Sequence, residues 1–142
     1  MNNEDVLHKE IDLIQDCIKR MTNNSFLIKG WMLSISGIVL AILFNKDTNN
    51  IYPATWIIGV VIFNFWYLDS YFLRIERMYR KLYEWVIENR ASSDENMYDL
   101  NPKRYKKDVG SIISTMFSES IWFFYSVPIV IIIIVNLIYF CE

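Results

Sequence analysis

The feature that most constrains this chain is a set of three runs without a charged residue: Gly30–Asn45, Thr48–Leu68 and Ser120–Cys141. The second and third are 21 and 22 residues long, which at 1.5 Å per residue is enough to cross a hydrocarbon core about 30 Å thick. The first has 16 residues, and Phe26–Ile28 with a snorkelling Lys29 extend it to a workable span. The sequence therefore predicts an integral membrane protein and excludes a soluble enzyme, a secreted disulfide scaffold and a disordered adaptor.

The lysines and arginines are distributed unevenly among the segments that the spans separate. Residues 1–29 hold four and residues 69–119 hold nine, whereas the loop between the first two spans has only Lys46. Because cytoplasmic loops are enriched in Lys and Arg, both long polar segments are expected in the cytoplasm, with the N-terminus inside and the C-terminus outside. No cleavable signal peptide is expected, because the segment before the first span is long and acidic.

The first two spans are predicted to be the middles of longer helices. Apolar residues at 7, 11, 14, 18 and 21 indicate one helix from about Glu4 to about Phe44, with the acidic residues, Glu10 among them, on the opposite face. Pro53 suits the first turn of the second helix, whose helical spacing continues to about Arg90. The apolar stripes predict that the two cytoplasmic halves pack together as an antiparallel hairpin.

The predicted fold class is an all-α integral membrane protein that forms one membrane domain. After the second helix, Asn101 and Pro102 have the pattern of a helix cap and a first helical residue, so an amphipathic helix is expected over 102–118. The predicted segments are a cytoplasmic helix (1–25), a first span (26–45), a second span (53–68), a cytoplasmic helix (69–90), a cytoplasmic loop with the amphipathic helix (91–118) and a third span (119–141).

Residue types that carry catalysis are scarce. The one histidine, His8, lies near the N-terminus, and GxGxxG, P-loop, HExxH and CxxC motifs are absent from the sequence. We therefore expect no enzymatic activity, no catalytic or metal-binding residue and no cofactor. Cys17 is expected to be a small apolar core residue. Cys141 is expected outside the cell, so the two cysteines of one chain cannot pair.

The first span carries small residues on one face, which let helix backbones approach closely in lipid. This face serves either packing inside one protomer or an interface between subunits. Since three spans are too few to enclose a pathway, a protein of this size that transports or leaks anything must be a homo-oligomer. The four residues of this small-residue face are Gly30, Ser34, Gly37 and Ala41.

Uncharged polar residues within the spans, chiefly Ser36, Asn64 and Asn136, have two interpretations. They form hydrogen bonds between helices, or they line a water-filled path. No charge lies in the middle of a predicted span, which argues against an ion-coupled transporter but allows a gated hydrophobic pore.

The cytoplasmic segments contain a basic set that lies among several tyrosines and Trp85. These side chains either anchor the protein to anionic lipids of the bilayer or bind an anionic ligand such as a nucleotide second messenger, on which the aromatic rings would stack. No nucleic acid polymer is expected as a partner. The basic set consists of Arg74, Arg77, Arg80, Lys81, Lys103, Arg104, Lys106 and Lys107.

Two runs within the first 90 residues resemble a known family. Trp66–Tyr83 resembles the signature W-x-L-D-x-Y-Y-L-R-x-E-R-x-Y-R-x-L-Y, with Phe72 in place of the second Tyr, and Ile18–Trp31 contains a matching I-x-R-M-x-x-N-S-F-x-x-K-G-W. Both are similar to a family of small, largely uncharacterised bacterial membrane proteins, some of which are encoded near antiphage defence genes. The resemblance implies an effector that disturbs the membrane and supplies no catalytic residue.

The signature places Asp69, Arg74, Glu76 and Arg77 within the first two turns beyond the membrane. Asp69 is expected to pair with Lys29, and Glu76 with Arg20 on the antiparallel first helix. These pairs would fix the register of the hairpin or form a bistable ion-pair lock on a gate.

The expected function is that of a homo-oligomeric effector in the bacterial inner membrane, which permeabilises or depolarises the membrane when its cytoplasmic helices sense a signal or a partner. The alternative is a membrane anchor or regulatory subunit without a pore, bound to a soluble enzyme. A cytoplasmic signalling protein is a candidate partner in either case.

Overall fold

The computed structural model describes residues 3–44, 52–90, 92–93 and 95–140, and it is helical, with no β-strand among these residues. The polar turn 45–51 and Cys141, which the sequence assigns to the outer side, lie outside the described residues. The helices are α1 (Asn3–Phe44), α2 (Tyr52–Asn89), a 3-10 helix (Pro102–Tyr105), α3 (Ile112–Met116) and α4 (Glu119–Phe140).

Three of these helices are long and apolar enough to cross a membrane: α1, α2 and α4. The 42 residues of α1 and the 38 residues of α2 correspond to about 63 and 57 Å at 1.5 Å per residue. Both are roughly twice as long as a bilayer core requires. The prediction that the first two spans belong to much longer continuous helices is confirmed.

The helices α1 and α2 contact each other at points spread along their lengths. Side chains of Glu10 and Arg90, of Thr22 and Glu76, and of Lys29 and Asp69 meet. From Glu10 to Lys29 the residue numbers rise along α1, while the numbers of the residues that they contact fall from Arg90 to Asp69. Polar contacts therefore join the two helices at three levels.

Two separate hydrophobic cores lie along this pair of helices. The larger is centred on Met32, Ile62, Trp66 and Tyr125, and it joins the apolar parts of α1, α2 and α4. The smaller surrounds Ile14, Leu82 and Val86, and Leu100 and Tyr105 pack against it. The contacts of Ser25, Lys29 and Asp69 lie between the two cores along the chain.

The segment 102–118 is not the single amphipathic helix that its apolar spacing predicts. Asn101 does cap a helix, since its side chain accepts a hydrogen bond from the backbone of Lys103, but that 3-10 helix ends at Tyr105. A new cap follows at Ser111, which accepts from the Ser114 backbone and starts the five-residue α3. Serine competes for backbone donors in this way, so a helix begins at Ser111 instead of running through it.

The contact between α2 and α4 has polar groups near both ends. Trp66 Nε1 donates to the backbone oxygen of Met116 over 3.0 Å, in the corner that leads into α4. Thr55 Oγ1 donates to Asn136 Oδ1 over 3.1 Å. Pro128 lies inside α4 and, lacking an N–H, leaves the Phe124 carbonyl without its intrahelical donor.

Candidate functional site

The small-residue face of α1 points away from the protomer. Gly30, Ser34, Gly37 and Ala41 are all exposed, and a Cβ atom added to Gly30 or Gly37 would meet no atom within 4 Å beyond its chain neighbours and the backbone of its own helix. Ser34 donates its hydroxyl to the Gly30 carbonyl of its own helix over 2.9 Å. Among the described residues, Gly30 and Gly37 therefore pack against no other helix of the protomer, and an interface between subunits stays a prediction.

The polar residues in the spans are mostly satisfied within their own helices. Asn64 donates to the Val60 carbonyl over 2.8 Å and is exposed, and the Ser36 hydroxyl lies 3.8 Å from the Met32 sulfur. Asn136 donates to Ile132 and accepts from Thr55. In the described ranges, Asn136 is the one candidate of the three whose hydrogen bond joins two helices.

A buried carboxylate lies where α1 and α2 leave the larger core. Asp69 has no exposed surface, and its Oδ2 atom lies 2.5 Å from Lys29 Nζ. Ser25 donates to the other carboxylate oxygen and accepts from Lys29 Nζ over 2.8 Å. The predicted Lys29–Asp69 ion pair is present, and Ser25 completes it on a helix face one turn before Lys29.

The second expected pair does not form. Glu76 accepts two hydrogen bonds from Arg80, at 2.9 and 2.7 Å, one turn along its own helix. Thr22 donates to its other oxygen over 3.1 Å. Arg20 instead donates to the Cys17 sulfur over 3.8 Å. Arg80 pairs with Glu76 because the two residues are one turn apart on the same helix, so their contact does not depend on how α1 and α2 are aligned.

A second ion pair is buried on both sides, and it includes Glu10, which the sequence assigned to the polar face of α1. Glu10 and Arg90 are each 2% exposed in their side chains. Arg90 donates from Nε to one carboxylate oxygen over 2.5 Å and from Nη2 to the other over 3.0 Å. Assigning Glu10 to the solvated face is therefore wrong. Val6, Glu10 and Ile14 are four residues apart and face α2 together, with Val6 and Ile14 also buried.

The Glu10–Arg90 pair also holds the loop that follows α2. Arg90 donates to the backbone oxygens of Ser93 and Glu95 over 3.0 and 2.9 Å. Glu10 accepts from the backbone N–H of Tyr98 over 2.5 Å. Asn96 and Tyr98 have positive φ angles of 55° and 57°. This backbone conformation costs free energy for residues other than glycine. The loop is thus held in its conformation by the buried pair.

Half of the basic set is occupied by contacts within the protomer. Arg74 donates to the backbone oxygens of Gly110 and Lys106 over 2.8 and 3.3 Å, and Arg80 pairs with Glu76 as described. Lys81 pairs with Glu84 at 2.7 Å, and Arg104 donates to the Asp99 carbonyl over 2.8 Å. Within the described ranges, no hydrogen bond or ion pair engages the side chains of the other four, which are Arg77, Lys103, Lys106 and Lys107.

The aromatic ring best placed for stacking already carries cations of this chain. The guanidinium carbons of Arg90 and Arg104 lie 5.5 and 5.4 Å from the centre of the Trp85 ring, which is cation–π distance. Arg104 also lies 5.6 Å from the centre of the Tyr105 ring. A base could stack on Trp85 only by displacing one of these arginines.

Two groups on the part of α2 assigned to the cytoplasm have shifted pKa values. Burial raises the pKa of the Tyr79 hydroxyl, with Cys17 acting in the same direction and Arg20 opposing. The hydrogen bond from Lys81 to Glu84 raises the pKa of Lys81. Both shifts move the pKa further from neutrality, so neither group changes its charge near pH 7.

The chain has no match among known families, curated proteins or solved structures. Among the residues that the structure describes, no group of three or more His, Cys, Asp or Glu side chains could hold a metal ion. The resemblance of the Ile18–Trp31 and Trp66–Tyr83 runs to the bacterial membrane family stays a prediction.

Proposed function

We propose that this protein is a homo-oligomeric effector of antiphage defence in the bacterial inner membrane. The distribution of Lys and Arg supports an N-in, C-out topology in which residues 26–45, 53–68 and 119–141 span the bilayer. In this topology the N-terminal part of α1 and the C-terminal part of α2 form an antiparallel hairpin in the cytoplasm. The hairpin and the segment 91–118 sense a signal, and the spans then permeabilise the membrane.

The observation that carries this proposal is the exposed small-residue face of α1. Three helices do not enclose a pathway by themselves, so conduction requires several protomers. Gly30 and Gly37 have open space beside them, and such residues allow a helix of a second protomer to approach closely. Packing of α1 against α1 or α4 of neighbouring protomers would place the spans around a common axis.

The Lys29–Asp69 pair is the proposed lock of the gate. It joins α1 to α2 at the edge of the larger core, and Asp69 is fully buried there. A buried ion pair has few alternative arrangements, so it favours two discrete states of the helix pair over continuous deformation. Loss of this pair would let α1 move against α2 and open the assembly.

The experiment follows the membrane potential of expressing cells before and after phage infection. Wild-type cells should depolarise after infection. The Gly37→Leu variant should lose both the oligomer, measured by mass in nanodiscs, and the depolarisation, because the added side chain fills the space that a second helix needs. Ile38→Leu, a change at the adjacent exposed position, is the matched control and should behave as wild type. An intact potential in infected wild-type cells would overturn the proposal.

A second candidate function is a membrane anchor or regulatory subunit without a pore. The separate core around Ile14, Leu82 and Val86 favours it, because a docking module needs a folded surface outside the membrane. This function predicts copurification with a soluble partner, and surface substitutions such as Lys103→Glu that abolish recruitment with no leak under any condition. Depolarisation by the purified protein alone in vesicles would exclude it.

A further inference from the structure

A pocket of 570 Å³ lies between α2 and the start of α4, and five residues line it: Arg77, Ser118, Glu119, Ser120 and Phe123. Its polar residues come from two elements, since Arg77 is on α2 and the others lie at the corner where α4 begins. Phe123 is 74% exposed, and from Glu119 onward α4 is apolar enough to span a membrane. The pocket thus opens where polar surface gives way to apolar surface.

The charges in this pocket are opposite but do not pair with each other. In the described part of the chain, the side chains of Arg77 and Glu119 make neither an ion pair nor a hydrogen bond. The neighbouring charges Arg74, Glu76 and Arg80 are all engaged within the protomer. Because the cation and the anion in this pocket do not pair with each other, each is available to the opposite charge of a ligand that carries both charges.

The two serines extend the same pattern. The Ser118 hydroxyl donates to the Thr115 carbonyl over 2.7 Å, so toward the pocket it can only accept a hydrogen bond. The Ser120 hydroxyl has no partner among the described residues and can donate. The pocket therefore offers donors from Arg77 and Ser120 and acceptors from Glu119 and Ser118.

We propose that this pocket binds the headgroup of a zwitterionic aminophospholipid, phosphatidylethanolamine. The phosphate accepts from Arg77 and Ser120, the primary ammonium donates to Glu119 and Ser118, and the acyl chains follow Phe123 into the bilayer. An anionic headgroup without an ammonium leaves Glu119 facing a negative charge. A trimethylammonium group has no N–H to donate, so phosphatidylcholine forms only the phosphate contacts.

The full chain is purified and loaded with equal amounts of phosphatidylethanolamine, phosphatidylglycerol and phosphatidylcholine, and the bound lipids are counted by native mass spectrometry. Wild type should retain phosphatidylethanolamine over either competitor by about fivefold, as expected for charge-assisted hydrogen bonds at a partly exposed site. Glu119→Gln should shift the preference to phosphatidylglycerol, and Arg77→Gln should reduce retention of all three lipids.

Matched controls are Glu88→Gln and Lys107→Gln, which remove exposed charges outside the pocket and should leave the preference unchanged. Circular dichroism spectra show whether each variant keeps its helices. Equal retention of the three lipids by wild type, or an unchanged preference in Glu119→Gln, would overturn the proposal. Because lipid retention is measured on protein that need not conduct, this result is independent of whether the oligomer permeabilises a membrane.

Discussion

At the scale of single residues, the structure places its most buried ion pairs where the two long helices meet. Glu10–Arg90 and Lys29–Asp69 are interhelical, and three of these four side chains are almost fully buried. Removing one partner of a buried pair leaves the other charge uncompensated, which costs more than the pair contributes. We therefore expect these residues to hold α1 and α2 in register.

Glu10→Gln should lower the free energy of unfolding by about 3 kcal/mol, because it leaves the Arg90 charge buried without a counterion. Asp12→Asn, on the exposed face of the same helix, should change it by less than about 0.5 kcal/mol. Denaturant titration in detergent measures both. Equal effects of the two substitutions would show that the Glu10–Arg90 pair contributes nothing specific.

Exchanging the two charges, as Glu10→Arg with Arg90→Glu, should fail to restore stability. A glutamate at position 90 cannot donate to the carbonyls of Ser93 and Glu95, and an arginine at position 10 cannot accept from Tyr98. Hydrogen exchange should show faster exchange of the amides of 95–98 in the double variant than in wild type. Full protection in the double variant would mean that the loop does not depend on this pair.

Asp69→Asn should lower the unfolding free energy by about 2–3 kcal/mol, because Lys29 loses its counterion. If the pair is the lock of a gate, the variant should also leak in vesicles without any stimulus. Asp99→Asn is the control: Asp99 is 47% exposed and lies 4.0 Å from Arg104, a surface pair worth less than about 1 kcal/mol. A destabilised but tight Asp69→Asn protein would leave the pair a purely structural role.

At the scale of elements, the sequence predicted long periodic helices well and short capped ones poorly. The α1 and α2 boundaries follow from unbroken apolar spacing, which decides helix type over many residues. The prediction of one helix over 102–118 is wrong because Tyr105, Val109 and Ile112 fit helical spacing although the helix is interrupted. The interruption depends on the cap at Ser111 and on the contacts of Arg74 from α2. The prediction for Glu10 is wrong because it rests on the residue's charge, which favours the polar face. Its spacing of four residues from Val6 and from Ile14 indicates the buried face instead.

Arg74→Gln should release the segment 106–110 from α2, because glutamine cannot reach two carbonyls with a guanidinium's geometry. Limited digestion with trypsin should then cut after Lys106 and Lys107 several-fold faster than in wild type. The control is Arg77→Gln, which removes an arginine one turn along that holds no backbone oxygen of this segment. Unchanged cleavage in Arg74→Gln would show that other contacts hold the segment.

At the scale of the whole molecule, the proposed oligomer rests on surfaces that the described contacts leave exposed. The apolar segments of α1 and α4 are each only 11% buried, and in the described part of the chain the two glycines of the small-residue face contact no other helix. Lipid covers such surfaces readily, so exposure alone does not require a partner. The glycines are informative because lipid contact does not need them, whereas close helix contact does.

The proposed topology predicts which side of the membrane reaches each polar segment. In a background of Cys17→Ser and Cys141→Ser, a membrane-impermeant maleimide added to spheroplasts should label Lys46→Cys at once. It should label Lys107→Cys only after the membrane is permeabilised. The reverse labelling pattern would invert the topology and would place the Glu10–Arg90 pair outside the cell.

The open space beside Gly30 and Gly37 has a consequence for dosage. If a conducting assembly needs n copies joined through this face, its abundance rises as roughly the nth power of the free protomer concentration. Halving expression would then remove far more than half of the assemblies. Cells could keep the protein harmless at a low copy number, and a modest rise in local density would be enough to activate it.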